Sequence, residues 1–250
     1  IDTYLNTLWS FAAAIDLARQ FLNRFPKSPR GAGVQLVMAD AQLAAGQAED
    51  AERTYADFLA LHATDPSAPS VRLRRGLALA KLGRAQDADQ TLSAGLEAPG
   101  SADPQLIHAA QLVLADAAMA KSDWRRALEL LSSEGSADRA TQLKIGLCLQ
   151  RSGQPARALE TFSRLADVEP SDDVRVQALF EKAQILSDMG QPDKAREGFE
   201  RVIRLEDGAP SPRFTPHALR HLASLASKAG RSEEAADLLG RIAAVSGQDQ

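Results

Sequence analysis

Two histidines that stand four residues apart, His217 and His221, are the first candidates for chemistry in this sequence. On a helix, residues with this spacing lie on one face, where two imidazoles could hold a metal ion together. No third ligand is evident nearby, and the His-Glu-x-x-His pattern of zinc proteases is absent. The sequence therefore predicts solvated histidines and no metal site.

A second candidate is the pair Gly31 and Gly33, which resembles the start of a dinucleotide-binding loop. Leu36 stands where the third glycine belongs, and no alternating strand precedes the pair. The lone cysteine, Cys148, lies in an apolar stretch and is predicted to be a small buried hydrophobe. We therefore expect no cofactor and no catalysis by this chain.

Composition argues against two further classes of protein, those that bind nucleic acid and those that span a membrane. The 250 residues include 29 Lys and Arg against 33 Asp and Glu, a net charge of −4, which argues against the clustered basic surface of a nucleic-acid-binding protein. No stretch approaches the ~18 apolar residues of a membrane span. The chain opens inside a helical pattern without an initiator Met, so we expect any targeting segment to lie upstream.

The elements that must position any site follow from an internal repeat. An alanine near the start of a predicted helix recurs every 31 to 40 residues, at Ala14, Ala51, Ala88, Ala127, Ala158, Ala195 and Ala235. We call it the landmark alanine. Five residues before it stand Gly46, Gly83, Ser122, Gly153, Gly190 and Gly230. Twelve before it stands a small residue, and four after it a large one, as in Gly146, Ala158 and Phe162.

This spacing predicts pairs of antiparallel helices. The glycine permits the positive φ that often ends a helix, so the chain can fold back. We expect the small residue of the first helix to face the landmark alanine, and the large residue, such as Phe162, to fill the gap toward the next pair. Pro26 and Pro170 are expected to end second helices. One such hairpin cannot bury its apolar face, so neighbouring pairs must stack.

The pattern resembles the tetratricopeptide repeat family, most clearly in Leu143 through Pro170 and in Ala183 through Val202. The resemblance implies an all-α fold, an α-solenoid of tandem antiparallel helix pairs wound as a right-handed superhelix. We expect a single solenoid over 1–250. Its parts are a half-repeat at 1–30 and repeats at about 31–66, 67–103, 104–136, 137–172, 173–208 and 209–245.

In that family the first helix of each pair lines the concave side. The resemblance therefore implies a partner-binding wall made of Leu73, Leu77, Leu112, Leu143, Leu147, Phe180 and Arg220. The middle of this wall is apolar and its C-terminal end is polar. An alternative interpretation is that these leucines are core residues between neighbouring helices. Some family members clamp acidic chain ends with lysine and asparagine, but the only asparagines here, Asn6 and Asn23, lie outside the predicted wall.

The expected function is that of a non-catalytic scaffold that binds a protein or peptide segment in its concave groove. The long, alanine-rich copies, as in Ala14 through Pro29, look like those of bacterial cell-envelope proteins. We therefore expect a periplasmic or cell-envelope complex, with a cytoplasmic location as the alternative. Two other hypotheses stay open: a spacer or homo-oligomerisation module, and a regulatory domain of a longer enzyme or signalling protein.

Overall fold

The computed structural model describes residues 2–98, 103–132, 138–167, 172–209 and 211–246. Every regular element in these ranges is an α-helix. The helices are α1 (Asp2–Arg24), α2 (Gly31–Ala44), α3 (Ala48–Leu61), α4 (Ala68–Lys81), α5 (Ala85–Glu97), α6 (Pro104–Ala120), α7 (Trp124–Ser132), α8 (Arg139–Arg151), α9 (Pro155–Ala166), α10 (Asp173–Asp188), α11 (Pro192–Leu205), α12 (Thr215–Lys228) and α13 (Ser232–Ser246). The predicted all-α fold is confirmed.

The chain divides between Leu130 and Leu131 into two compact units, unit 1 before this point and unit 2 after it. We call the earlier member of each helix pair the first helix and the later one the second helix. In unit 1, α2 pairs with α3 and α4 with α5, while α1 packs on α2 and α6 packs on α4 and α5. In unit 2, the pairs are α8 with α9, α10 with α11, and α12 with α13. These five pairs are as predicted, and α6 and α7, joined by a turn at Ser122, stand in the order of the sixth predicted pair; the single solenoid over 1–250 and its repeat boundaries stay predictions.

The turn inside each pair is set by one residue of positive φ. In five turns this residue is a glycine with φ between 71° and 80°: Gly46, Gly83, Gly153, Gly190 and Gly230. In the sixth it is Ser122, with φ 59°, which is the only positive-φ residue other than glycine in the described ranges. Beyond Ser122, the Asp123 N–H donates to the Ala118 carbonyl at 2.9 Å and so caps the end of α6. The predicted turn position therefore has the same geometry in all six pairs.

Several first helices begin at an aspartate that caps the first turn. The carboxylates of Asp103, Asp138 and Asp172 accept hydrogen bonds from backbone N–H groups of α6, α8 and α10 at 2.8 to 2.9 Å. These bonds satisfy donors that have no partner within the helix, and the negative charge suits the positive end of the helix dipole. These three first helices thus start at an aspartate because its carboxylate accepts hydrogen bonds from, and carries the opposite charge to, the helix N-terminus.

The core of each pair forms where the small residue of the first helix meets the second helix. The landmark alanines after Ala14 are all buried, Ala158 among them. We expected Gly146 to face Ala158, but a Cβ on Gly146 would lie 2.5 Å from Cε1 of Phe162. The large side chain four residues after the landmark therefore lies over the small residue of the first helix, while the contact of Gly146 with Ala158 stays a prediction. Gly76 and Leu92 repeat this geometry in unit 1, also at 2.5 Å.

The large position is buried in five pairs and open in one. Tyr55, Leu92, Phe162 and Phe199 are fully buried and Leu131 is nearly so, whereas Leu239 in α13 is 53% exposed. Leu239 therefore does not fill a gap as expected. The predicted helix stop at Pro170 lies outside the described residues. Over the ranges described, no helix has both the length and the apolar character that crossing a bilayer requires.

Candidate functional site

In unit 1, a polar network joins the first helices α2 and α4. The hydroxyl of Tyr55 donates a hydrogen bond to the carboxylate of Asp40 at 2.5 Å, and Nη1 of Arg74 lies 3.5 Å from the same carboxylate. Burial, together with the hydrogen bond to Asp40, raises the pKa of the Tyr55 phenol. The phenol therefore stays protonated and keeps donating. This network fixes α2 against α3 and α4.

The predicted wall residues of unit 1 divide into two groups. Leu73 is fully buried, and its Cδ2 would lie 2.6 Å from a Cβ on Gly95 of α5. Leu77 and Leu112 are only half-buried. Leu77 packs at the edge of the cluster that contains Leu73, Leu92, Ala110 and Leu114. Leu73 thus packs inside unit 1, beneath the predicted wall. Of the wall residues in unit 1, only Leu77 and Leu112 keep exposed surface that a partner could contact.

Unit 2 divides in the same way. Leu143 and Phe180 are buried, with 8% and 6% of their surface exposed, while Leu147 is half-buried and Arg220 is exposed. Leu73, Leu143 and Phe180 are therefore buried, while partner binding by the seven wall residues stays a prediction. The side chains of these three buried residues point into the packing between helices, as the alternative interpretation had it.

An aromatic cluster surrounds Phe180 in unit 2. The ring of Phe180 lies 5.7 Å from Phe199 and 5.4 Å from Phe214, measured between centroids. His221 stacks on Phe199 at 4.9 Å with an interplanar angle of 7°. The side-chain amide nitrogen of Gln184 lies 3.1 Å from Nε2 of His221 and joins α10 to α12. Offset aromatic stacking of this kind adds to the hydrophobic packing that holds the two first helices together.

The two histidines of the candidate metal pair have different environments. Burial lowers the pKa of His221, while the charge of Asp188 opposes this shift. A neutral imidazole can accept the hydrogen bond that the Gln184 amide donates. His217 is exposed, and its Nδ1 lies 3.4 Å from Nη1 of Arg220. In the ranges that the structure describes, no three potential metal ligands come together.

One position on the first helices, 14 residues before the landmark alanine, was not predicted to be functional. It holds Arg74 of the network in α4, His221 of the aromatic cluster in α12, and Glu181 in α10. Glu181 is 9% exposed, and burial raises the pKa of its carboxyl, although a hydrogen bond from Gln150 acts against this shift. Its Oε2 is buried without a hydrogen-bond partner in the described part of the chain. Polar residues recurring at this one position were the sequence signal that could have identified it.

Comparisons with known proteins agree with this geometry. A tetratricopeptide repeat family model matches residues 36–104 and 180–249, and a second tetratricopeptide repeat model matches residues 140–172. No curated protein sequence matches the chain.

Solved structures resemble the chain in fold at low sequence identity. The C-terminal part of a TPR repeat-containing protein from Cytophaga hutchinsonii has a TM-score of 0.69 and 13% identity, over 97% of this chain and 92% of that one. MamA MSR-1 has a TM-score of 0.56 and 18% identity, over 74% and 99% of the two chains. A tetratricopeptide repeat protein from Parabacteroides merdae has a TM-score of 0.50 and 14% identity, over 95% and 93%. With the first family model covering more than half of its residues, this chain belongs to the tetratricopeptide repeat family.

Proposed function

We propose that this chain is a non-catalytic scaffold that holds a protein or peptide segment against the exposed side of its first helices. Tetratricopeptide repeats generally mediate protein–protein interaction. Stacked helix pairs present an extended row of side chains, which suits a helix or an extended segment of a partner. This proposal assigns binding to each unit separately.

The observation that carries the proposal is the half-burial of leucines on first helices. Leu77 and Leu112 in unit 1, and Leu147 in unit 2, keep part of their apolar surface open while their neighbours Leu73 and Leu143 are buried. A leucine held in place by a packed core needs little reordering when a partner covers it, so most of the apolar burial contributes to affinity.

The test begins with a photo-crosslinking amino acid at position 77, which identifies the bound segment in cells of the source organism. The affinity of that segment is then measured for the purified chain and for Leu77→Gln and Leu112→Gln variants. We expect each substitution to weaken binding at least tenfold, which corresponds to about 1.4 kcal/mol. Leu61→Gln in α3 is the matched control, because Leu61 is 74% exposed and lies on a second helix.

Melting temperature separates binding from packing in these variants. A half-exposed leucine that becomes glutamine should lower stability only slightly, whereas a core leucine would bury an unpaired amide at a cost of roughly 1–3 kcal/mol. Unchanged affinity in both variants would place the binding surface elsewhere and defeat the proposal. The corresponding test in unit 2 is Leu147→Gln, measured in the same way.

We further propose that the scaffold works in a bacterial cell-envelope complex, in the periplasm or at the membrane surface. The support is the resemblance of the long, alanine-rich copy from Ala14 through Pro29 to those of envelope proteins. Cell fractionation with an antibody against the chain tests this location. Recovery in the cytoplasmic fraction alone would contradict it.

A further inference from the structure

A small open cleft lies between α10 and α11 of unit 2, and three cationic side chains line it. The cleft has a volume of about 190 Å³. Its cations are Lys182 of α10 and Lys194 and Arg201 of α11, and Glu197 is the one carboxylate among its lining residues in the described part of the chain. Three positive charges and one negative charge give the lining a formal net charge of +2. We call it the α10–α11 cleft.

Glu197 does not neutralise its neighbours on α11. It stands three residues after Lys194 and four before Arg201, a spacing at which ion pairs form on helices. Over the ranges that the structure describes, however, the ion pairs of α11 are made by Arg196 and Arg204 with other carboxylates. The charges of Lys194 and Arg201 are therefore left without an ion-pair partner there.

Lys182 lacks an ion-pair partner because the facing position is apolar. It stands 13 residues before its landmark, and the equivalent residue in α4 is Arg75. Nη2 of Arg75 lies 2.7 Å from the carboxylate of Glu52 on the preceding second helix, α3. The residue equivalent to Glu52 in α9 is Leu159, which packs against the core cluster of unit 2. A carboxylate that serves one repeat is thus replaced by a leucine beside Lys182.

The base of the α10–α11 cleft is apolar and has no side chain at Gly198. The equivalent residue in α13 is Leu238, which is buried. A Cβ on Gly198 would lie 2.8 Å from Cβ of Ala183, so α10 and α11 pack closely at this point. Leu179 and Leu186, which also line the cleft, are buried. The cations therefore surround a depression whose base offers no competing charge.

The positive charge at these positions is specific to the α10–α11 pair. The four positions lie 13 and 1 residues before the landmark and 2 and 6 residues after it. In the other five pairs they carry a formal charge between −1 and +1. The value of +1 belongs to the α8–α9 pair, where Arg157 and Arg164 are accompanied by Glu160. Packing of the repeat therefore does not require the three cations, which leaves them available for a ligand.

The charge and size of the cleft indicate a phosphate group on a larger molecule. A phosphate monoester carries a charge of about −1.5 to −2 at pH 7, which matches the net charge of the lining, whereas a carboxylate supplies only one negative charge. Lysine contributes a point charge and arginine a planar pair of donors to phosphate oxygens. The cleft is smaller than the roughly 300–1,000 Å³ of small-molecule pockets, so a group presented by a polypeptide suits it better than a whole metabolite.

We propose that the α10–α11 cleft binds a phosphorylated side chain of a partner polypeptide, with its phosphate held by Lys182, Lys194 and Arg201. This site goes beyond the proposed function, because none of its residues belongs to the predicted wall. Loss of binding at Leu77 or Leu147 would leave it intact, and its own failure would leave the wall intact. The two proposals therefore fail independently.

The test uses the phosphoserine residue in its simplest peptide form, N-acetyl-phosphoserine amide. This probe is titrated into the isotopically labelled chain, and the shifts of backbone amide resonances in α10 and α11 give the Kd. We expect saturable binding, and none for N-acetyl-serine amide. Lys194→Gln with Arg201→Gln should weaken binding about tenfold or more, because each substitution removes a charge-assisted hydrogen bond.

Two further variants separate this site from general surface charge. Arg157→Gln with Arg164→Gln removes two cations from the equivalent positions of α9, where both side chains are exposed, and should change the Kd by less than about twofold. Glu197→Gln removes the one carboxylate of the lining and should tighten binding about threefold or more. Circular dichroism should show unchanged helix content in all three variants.

Four outcomes would overturn the proposal. The first is no saturable binding of N-acetyl-phosphoserine amide, and the second is an equal loss of affinity in the α9 and α11 double variants. The third is equally tight binding of N-acetyl-aspartate amide, because the site would then not distinguish phosphate from carboxylate. The fourth is tighter binding of inorganic phosphate than of the phosphoserine probe, because a free anion would then be the occupant.

Discussion

The exposed first-helix surfaces of the two units differ in chemistry although their interiors are built alike. In unit 1, half-buried Leu77 and Leu112 lie on the first helices α4 and α6. In unit 2, Leu147 is followed by the amide of Gln184, the imidazole of His221 and the exposed guanidinium of Arg220. Unit 1 therefore offers apolar contacts at Leu77 and Leu112, with the exposed Asp40 and Asp116 on the same row of first helices, and the later helices of unit 2 offer polar contacts.

The difference shows that repeat packing constrains some positions and leaves others free. The positions that hold Gly76 with Leu92 in unit 1 and Gly146 with Phe162 in unit 2 have the same close contact. The positions that hold Leu77 and Gln184 are equivalent in the repeat but differ in polarity. Function can therefore vary along the first helices without changing the core that positions them.

The largest expected effect tests whether the apolar surface of unit 1 depends on a buried support. Leu73→Ala should lower the free energy of unfolding by about 2–5 kcal/mol, because it opens a cavity beside Gly95. Leu77→Ala should cost clearly less, since Leu77 is only half-buried. Urea denaturation monitored by circular dichroism measures both. Equal costs would mean that Leu77 is a core residue and has no surface to offer a partner.

A smaller effect tests whether the two interiors are equivalent. Gly76→Ala in unit 1 and Gly146→Ala in unit 2 should each destabilise by about 1–3 kcal/mol, because the new Cβ would lie 2.5 Å from Leu92 or Phe162. The control is Gly33→Ala, where the new Cβ meets nothing within 4 Å. That variant should gain stability by about 0.5–1 kcal/mol from helix propensity. A gain for Gly146→Ala would show that Phe162 moves aside and that the two interiors differ.

The smallest expected effect concerns the buried carboxyl of unit 2. Burial raises the pKa of Glu181, so the folded state keeps this proton to a higher pH than the unfolded state, whose value is near 4.5. Protonated Glu181 makes its full contribution to the free energy of unfolding below about pH 4.5. This contribution is lost as the pH rises through the pKa that Glu181 has in the folded protein. Glu181→Gln removes that loss and should stabilise the protein by about 1 kcal/mol at neutral pH.

Melting temperatures at two pH values check this expectation. The gain from Glu181→Gln should be larger at pH 8 than at pH 4.5. Glu160→Gln is the control, because Glu160 is exposed on α9 of the same unit and should show no such trend. A gain that does not depend on pH would mean that the substitution acts through packing and not through the charge of Glu181.

The sequence was sufficient to predict the repeat because its signals are local and recur in step. A positive φ at Gly83 or Ser122 and a small buried residue such as Ala158 are requirements of each hairpin alone. Seeing them in six successive pairs made the all-α fold predictable. The large residue at Leu239 is exposed although the same pattern predicts a buried one, because local spacing does not specify how much of a side chain other helices cover.

Which residues of the predicted wall keep exposed surface was decided only by the tertiary structure. Leu73 and Leu77 are four residues apart on α4 and were assigned to one wall, yet the first is buried against α5 and the second is half-open. Burial depends on the neighbouring helices that pack against each side chain, whereas helical spacing specifies only the direction in which a side chain points from its own helix. The same reason explains why the pairing of Asp40 with Tyr55 and Arg74 was not predicted from the sequence.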